Sequence, residues 1–428
     1  MTLSNLINPR HFNGKLLFLL LAGFFLMVAL PALAARAEGG AEMAWGLMGM
    51  KLYGGLALFL FGMEQMSDSL KAVAGDRMKD ILAKLTANRF MGAITGAFVT
   101  AIIQSSSVTT VLVVGFISAG LMSMAQSIGI IMGANIGTTI TAQIVAFKVT
   151  KAALLMIGVG FTMLFGSKKE SIKHYGTMLM GLGLVFFGMS VMSDAMSPLR
   201  TYQPFLDLMI QMESPLVGIL VAAAFTGLIQ SSSATTGIVI VMASQGFITL
   251  PAGIALAFGA NIGTCVTALL ASIGKPREAV RAAVVHIGFN VAGVLIWVFF
   301  IDYLAQFVTS FSPSHPELSG VDRLGAETPR QIANAHTIFN IANTLIFIGF
   351  TTQFARLVEW LVPDAPLDET KVLTVRAKYL DEVLLTTPAL ALDRVRLEVL
   401  HMGEKVENML KSIMPAIISG DSKALQAV

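Results

Sequence analysis

A polar seven-residue motif that occurs twice constrains this chain more than any other feature. QSSSVTT stands at 104–110 and QSSSATT at 230–236, an offset of 126 residues. Two further motif pairs have the same offset, namely GANIGTT at 133–139 with GANIGTC at 259–265, and GMEQMSD at 62–68 with GMSVMSD at 188–194. Three motif pairs in one register indicate an internal duplication.

The composition places these polar motifs in an apolar chain. Of the 428 residues, 55% are hydrophobic and 13% are charged, and the mean hydropathy is +0.75. A soluble domain of this size carries more charge, so we expect an all-α integral membrane protein whose surroundings are the lipid bilayer. A net charge of +3 offers no basic surface for nucleic acid. The single cysteine, Cys265, excludes an internal disulfide and a multi-cysteine metal site.

Charges in the flanking segments predict the orientation of the two copies. Five basic residues follow the first membrane helix, namely Lys71, Arg77, Lys79, Lys84 and Arg89. The equivalent segment, 197–215, carries Arg200 against Asp207 and Glu213. Basic residues concentrate in cytoplasmic loops, so the two segments are predicted on opposite sides and the two copies in opposite orientations. The stretches around the QSSS motifs, 90–122 and 216–247, are too long for one span and suit re-entrant hairpins.

These patterns predict six regions. Residues 1–37 resemble a secretory signal peptide, with an N-terminal membrane segment as the alternative. The other regions are transport repeat 1 at 45–175, transport repeat 2 at 176–301, an external loop at 302–332, a final transmembrane helix at 333–356 and a cytoplasmic helical tail at 364–428. This plan puts the C-terminus in the cytoplasm.

The QSSS motifs carry groups suited to a solute site inside a membrane. Irregular backbone is tolerated at that depth where protein or a water-filled cavity satisfies it, and the N-terminus of a membrane helix binds anions without lysine or arginine. Hydroxyl and carbonyl oxygens at the same point are hard ligands for Na⁺. Serine clusters also serve as packing contacts between helices, which is the alternative interpretation. Asn135 and Asn261, in the GANIGT motifs, are predicted to shape or line the site, since a buried membrane amide needs partners.

Other motifs narrow the class of transporter. The sequence has no G-x-x-x-x-G-K-[ST], so ATP-driven pumping is unsupported and an ion gradient or passive flow must move the solute. We predict no catalytic residue and no cofactor. His286 and His336 both stand in H-x-x-F-N, where packing and hydrogen bonding compete with a proton-relay role.

The paired QSSS motifs, each followed by GANIGT, resemble the type II sodium-dependent phosphate cotransporters and their bacterial relatives over about 45–355. The resemblance implies uptake of inorganic phosphate across the bacterial inner membrane, driven by Na⁺ as coupling ion. It assigns phosphate binding to Gln104, Ser105, Ser106, Ser107, Gln230, Ser231, Ser232 and Ser233, and sodium binding to Thr109, Thr110, Thr235 and Thr236.

The tail at 364–428 is similar to the start of a PhoU-like domain and is expected to be a truncated version of one. It is predicted to contact the membrane domain, a second copy in a homo-oligomer or a PhoU-type partner. Two other functions remain open at this point. One is transport of another small oxyanion or a carboxylate, and the other is a phosphate-sensing membrane scaffold that signals through the tail.

Overall fold

The computed structural model describes residues 45–74, 88–118, 122–147, 149–211, 213–273, 276–363, 377–380, 384 and 388–419. Within these ranges the chain is helical and contains no strand. The predicted signal segment at 1–37 and the basic stretch at 75–87 lie outside the described residues.

Fifteen α-helices occupy the described ranges. They are α1 (Trp45–Ala74), α2 (Arg89–Ile103), α3 (Ser106–Ser118), α4 (Met124–Val145), α5 (Ala153–Gly166), α6 (Glu170–Met196), α7 (Gln203–Gln211), α8 (Pro215–Ile229), α9 (Ser232–Ser244), α10 (Leu250–Ser272), α11 (Arg277–Trp297), α12 (Ile301–Phe311), α13 (Gly320–Phe347), α14 (Thr351–Leu361) and α15 (Pro388–Ser419). Short 3₁₀ turns join several of them, including Val298–Phe300 and Ile348–Phe350.

Side-chain caps start the helices around the motifs. Asn88 accepts a hydrogen bond from the Met91 N–H at 2.9 Å and begins α2. Ser123 begins α4 in a capping box with Gln126. Thr249 begins α10 and stands 126 residues after Ser123. These residues satisfy N–H groups that the first helical turn leaves unpaired.

The helix bounds follow two registers. The bounds of α2 and α3 recur 126 residues later in α8 and α9. A second offset of 50 residues relates α12 to α14 and the 3₁₀ turn Val298–Phe300 to Ile348–Phe350. The helices before these turns, α11 and α13, carry the two H-x-x-F-N motifs at the same offset. The chain therefore contains a second pair of similar helical units after the QSSS copies.

Six helical segments of the described chain are long and apolar enough to cross a membrane, and the bent α7 and α8 together could form a seventh. The six are Trp45–Ala74, Met124–Val145, Glu170–Thr201, Leu250–Ser272, Arg277–Phe311 and Gly320–Leu361. The segment Thr150–Gly166, which contains α5, falls among the shorter apolar helices. The protein is thus an all-helical chain with the spans of a multi-pass membrane protein.

The prediction of a loop at 302–332 was wrong in its secondary structure. Most of α12 lies in that range, and α13 begins at Gly320. Polar residues and prolines suggested a loop, but α12 buries Leu304, Ala305 and Val308 on one face. Pro329 lies buried inside α13. The last helical segment is correspondingly longer than the predicted 333–356.

Glycines let the long helices pack backbone to backbone. A Cβ on Gly62 of α1 would meet the Gly181 carbonyl oxygen of α6, and one on Gly133 of α4 would meet the Ala93 carbonyl oxygen of α2. Close approach of this kind is the usual way in which helices associate in lipid, where burial of apolar area gives little. The glycines of GANIGTT therefore hold α4 against α2.

Candidate solute-binding site

Each QSSS motif forms the turn between two helices. We call α2 and α3 the first helix pair, and α8 and α9 the second helix pair. Gln104 ends α2 with a φ of 60°, and Gln230 ends α8 with a φ of 55°. Among the described residues, these two are the non-glycine residues with positive φ. A left-handed conformation costs a side-chain-bearing residue about 1–2 kcal/mol, and such strain often occurs at functional sites.

The serine after each glutamine caps the next helix. The Val108 N–H donates to Ser105 Oγ at 3.3 Å, and the Ala234 N–H donates to Ser231 Oγ at 3.2 Å. Ser106 and Ser232 then open α3 and α9 and are buried. The N-terminal ends of two 13-residue helices therefore carry serine hydroxyls, which is an arrangement that can bind an anion through N–H and O–H donors.

One pair of threonines ties the two arms of each helix pair together. The hydroxyls of Thr100 and Thr109 are 2.8 Å apart, and those of Thr226 and Thr235 are 2.7 Å apart. All four residues are buried. Thr109 and Thr235, which the family resemblance assigns to sodium binding, thus face the first arm of their own pair. Each hydroxyl oxygen keeps a second lone pair for a cation.

Thr110 and Thr236, the other predicted sodium ligands, are also buried. The Thr110 hydroxyl donates to the Ser106 carbonyl oxygen at 2.9 Å. Ser107 and Ser233 are half-buried at the starts of α3 and α9. The structure therefore gathers the predicted residues of each copy around one turn.

The two glutamines differ in their contacts. The Thr141 hydroxyl of α4 donates to Gln104 Oε1, and Gln104 Nε2 donates to the Ala101 carbonyl oxygen. Thr267 occupies the position in α10 that is equivalent to Thr141, and its hydroxyl is buried without a hydrogen-bond partner in the described chain. Sequence reasoning missed both threonines, although each stands three residues after a GANIGT motif.

Asn135 of α4 lies in a buried triad with two residues of α11. Its Nδ2 donates to Asn290 Oδ1 at 2.9 Å, and its Oδ1 is 3.1 Å from His286 Nε2. Because an amide oxygen is an acceptor, the His286 Nε2 carries the hydrogen. Asn290 Nδ2 in turn donates to the His286 carbonyl oxygen at 2.9 Å.

Asn261 of α10 makes the same triad with α13. Its Nδ2 donates to Asn340 Oδ1 at 2.9 Å, and its Oδ1 is 2.9 Å from His336 Nε2. Both histidines therefore lie in the middle of their helices, and each side chain makes a hydrogen bond to a neighbouring helix. Asn290 and Asn340 were missed from the sequence, although H-x-x-F-N contained the signal. The triads fix α4 to α11 and α10 to α13.

The two helix pairs pack against the same two helices. Helix α3 packs against α4 and α10, and α9 packs against α10 and α4. The helices that begin at the two QSSS turns therefore both contact the two GANIGT helices. The QSSS motifs contain no charged side chain, and the described residues contain no cluster of three or more His, Cys, Asp or Glu that could hold a metal ion. Neutral hydroxyls, amides and backbone groups are the chemistry on offer.

Comparison with known proteins assigns the chain to a family. The profile of the family described as Na⁺/Pi-cotransporter matches residues 58–194 and 203–313, a range that holds both QSSS turns and both GANIGT helices. The chain belongs to this family. Its members are transporters rather than enzymes, and membership supports phosphate transport by this cotransporter-family chain.

The cotransporter-family chain is similar to bacterial proteins over most of its length. It is 30% identical over 309 residues to "Uncharacterized protein YqeW" of Bacillus subtilis, covering 72% of this chain and 96% of that protein. It is 26% identical over 365 residues to "Putative inorganic phosphate export protein YjbB" of Escherichia coli, covering 85% of this chain. The matched region spans 64% of the length of YjbB.

An animal relative matches over a shorter segment. "Sodium-dependent phosphate transport protein 2C" of Rattus norvegicus is 42% identical over 85 residues, which are 19% of this chain and 14% of that protein. No solved structure matches the chain.

Proposed function

We propose that the protein is a secondary active symporter that takes up inorganic phosphate by using the sodium gradient. One observation carries this proposal. Two strained, serine-capped helix breaks have the same bounds in both copies and pack on the same two helices. Membership of the Na⁺/Pi-cotransporter family supports phosphate as the solute and Na⁺ as the coupling ion of such a site.

Phosphate would bind between the two turns. The amides of Gln104 and Gln230 and the serine hydroxyls that follow them would donate hydrogen bonds, together with N–H groups at the starts of α3 and α9. The serines concerned are Ser105, Ser106, Ser107, Ser231, Ser232 and Ser233. Neutral donors suit an anion that must leave again, because a fixed positive charge would bind it more tightly.

Sodium would bind beside the phosphate through oxygen atoms. Thr109, Thr110, Thr235 and Thr236 supply hydroxyls one turn into α3 and α9. Backbone carbonyl oxygens at the two QSSS turns would add hard ligands, which discontinuous membrane helices offer to Na⁺. The cation would offset the charge of the bound phosphate, which couples the two solutes.

Alternating access would follow from two inverted repeats. In this scheme the two helix pairs are re-entrant hairpins that enter from opposite sides of the inner membrane, and the C-terminal tail lies in the cytoplasm. Rocking of one copy against the other would expose the shared site to each side in turn. The two asparagine triads would keep α4 and α10 attached to α11 and α13 during that movement.

Uptake under separately imposed gradients tests the proposal. The purified protein in liposomes should take up labelled phosphate with an inward Na⁺ gradient and not with Li⁺, K⁺ or H⁺ gradients. Excess arsenate should compete with phosphate, whereas sulfate and succinate should not. Uptake that ignores sodium would contradict the coupling, and equal competition by sulfate or succinate would point to another oxyanion or a carboxylate as substrate.

Export is the second candidate, and the name of the relative YjbB favours it. A symporter runs in whichever direction the combined gradients dictate, so direction is tested by reversing them. Liposomes loaded with phosphate and Na⁺ should release phosphate when external Na⁺ is removed. Release that proceeds equally with no Na⁺ on either side would favour an uncoupled exporter over the proposed symporter.

A further inference from the structure

An apolar contact joins the C-terminal segment to the first helix pair. Leu384 and Leu390 are 1% and 4% exposed. They belong to one hydrophobic cluster with Val99 and Ile103 of α2 and Leu112 of α3. The burial of these leucines removes apolar area from water and stabilises the docked position. Leu384 and the start of α15 therefore lie against the helices that flank the first QSSS motif.

Arg394 of α15 is buried within this contact. Its side chain is 6% exposed, and its Nη2 donates to the carbonyl oxygens of Val111 at 3.2 Å and Leu112 at 2.9 Å. Both oxygens belong to the backbone of α3. Hydrogen bonds from a charged donor are stronger than neutral ones. The guanidinium therefore fixes α3 relative to the tail.

The pocket for this guanidinium exists because residue 115 is glycine. A Cβ on Gly115 would coincide with the Arg394 guanidinium. The equivalent position in the second helix pair is Val241, which is 2% exposed. The close-packed glycine of α9 is instead Gly237, where the Phe59 ring of α1 lies. The arginine pocket thus occurs in the first helix pair, and valine fills the equivalent position of the second.

We propose that the C-terminal segment is a lock on the first helix pair, and that Arg394 is the residue that closes it. The inference rests on the proposed transport function, in which α3 must move to open the site. With Arg394 seated at Gly115, α3 moves only if α15 moves with it or if both hydrogen bonds break. The lock therefore slows phosphate transport until the tail is released.

Two substitutions open the lock from opposite sides. Arg394→Ala removes the guanidinium, and Gly115→Val fills its pocket with the side chain that the second helix pair carries at Val241. Both should raise the initial rate of Na⁺-driven phosphate uptake about fivefold, the lower end of coupling between distinct sites, with the phosphate KM unchanged. Arg396→Ala, which alters an exposed arginine of the same helix, should leave the rate unchanged. Rates at or below wild type in both opened variants, at equal amounts of protein, would overturn the proposal.

A reversible cross-link closes the lock covalently. The variant combines Cys265→Thr, which removes the single cysteine and introduces the residue found at Thr139, with Gly115→Cys and Arg394→Cys. A short bifunctional thiosulfonate reagent should reduce uptake to about a tenth or less of the rate before treatment, at the scale of allosteric coupling, and dithiothreitol should restore it. Each single-cysteine variant is the control for modification alone. Full uptake by cross-linked protein would overturn the lock.

These outcomes separate failure of the lock from failure of the transport function. If the wild-type chain and every variant take up no phosphate, the proposed function is wrong. If the wild-type chain transports and the cross-linked chain transports equally well, the function stands and the lock is wrong.

Discussion

The first and second helix pairs share helix bounds, turn geometry and caps, yet they differ in what holds them. The first pair is fastened on two sides, through Gln104 to Thr141 and through Gly115 to Arg394. In the second pair, the Thr267 hydroxyl has no partner among the described residues. The repeated sequence therefore gives both helix pairs the same local structure. Contacts with residues elsewhere in the chain hold the first helix pair at more points than the second.

The largest effects should be equal in the two copies, because the GANIGT glycines pack in the same way. A Cβ on Gly133 would meet the Ala93 carbonyl oxygen, and one on Gly259 would meet the Ile219 carbonyl oxygen. Gly133→Val and Gly259→Val should each destabilise the protein by about 3 kcal/mol or more, since overpacking against backbone has little room to relax.

The yield of monodisperse protein and the thermal unfolding midpoint check that expectation. Gly158→Val is the matched control, because nothing lies within 4 Å of a Cβ at that position. It should behave as wild type. Loss of only one of the two valine variants would show that the copies do not share this packing.

The histidine triads should also respond equally. His286→Leu and His336→Leu each leave the amide oxygen of Asn135 or Asn261 without its donor, and a buried unsatisfied polar group costs about 1–3 kcal/mol. Both midpoints of thermal unfolding should therefore fall by similar amounts. His315→Leu, at a side chain that is 43% exposed, should leave the midpoint unchanged. Unequal decreases in the midpoint for His286→Leu and His336→Leu would mean that the two triads contribute differently to stability.

A smaller effect should distinguish the copies. Thr141→Val removes the donor to Gln104 and should cost about 1 kcal/mol. Thr267→Val removes a hydroxyl that is already unsatisfied, so the free energy of unfolding should stay unchanged or rise slightly. Thermal unfolding without phosphate compares the two variants. Equal destabilisation would contradict the asymmetry between the helix pairs.

Much of the fold could be predicted from the sequence because it is local. The 126-residue register predicted equivalent turns at the two QSSS motifs, and the apolar composition predicted a helical membrane protein. The loop prediction for 302–332 failed because α12 is amphipathic and buries one face, which a polar composition conceals. Pro329 shows that a proline need not end a helix whose packing holds it.

The contacts between distant segments could not be predicted. H-x-x-F-N indicated that His286 and His336 are equivalent, but nothing in the sequence says that each binds an asparagine in a GANIGT helix. Arg394 reaches α3 across more than 280 residues of chain, and no periodicity reports such a contact. Partners of this kind follow from the packing of whole helices rather than from local propensity.

The central claim is that the two QSSS turns are halves of one phosphate site. Calorimetric titration of phosphate into the purified protein in Na⁺ tests it most directly, with Gln104→Ala and Gln230→Ala as the two variants. The account predicts one phosphate per wild-type chain and loss of binding in both variants. Binding of one phosphate with wild-type affinity by either variant would contradict it.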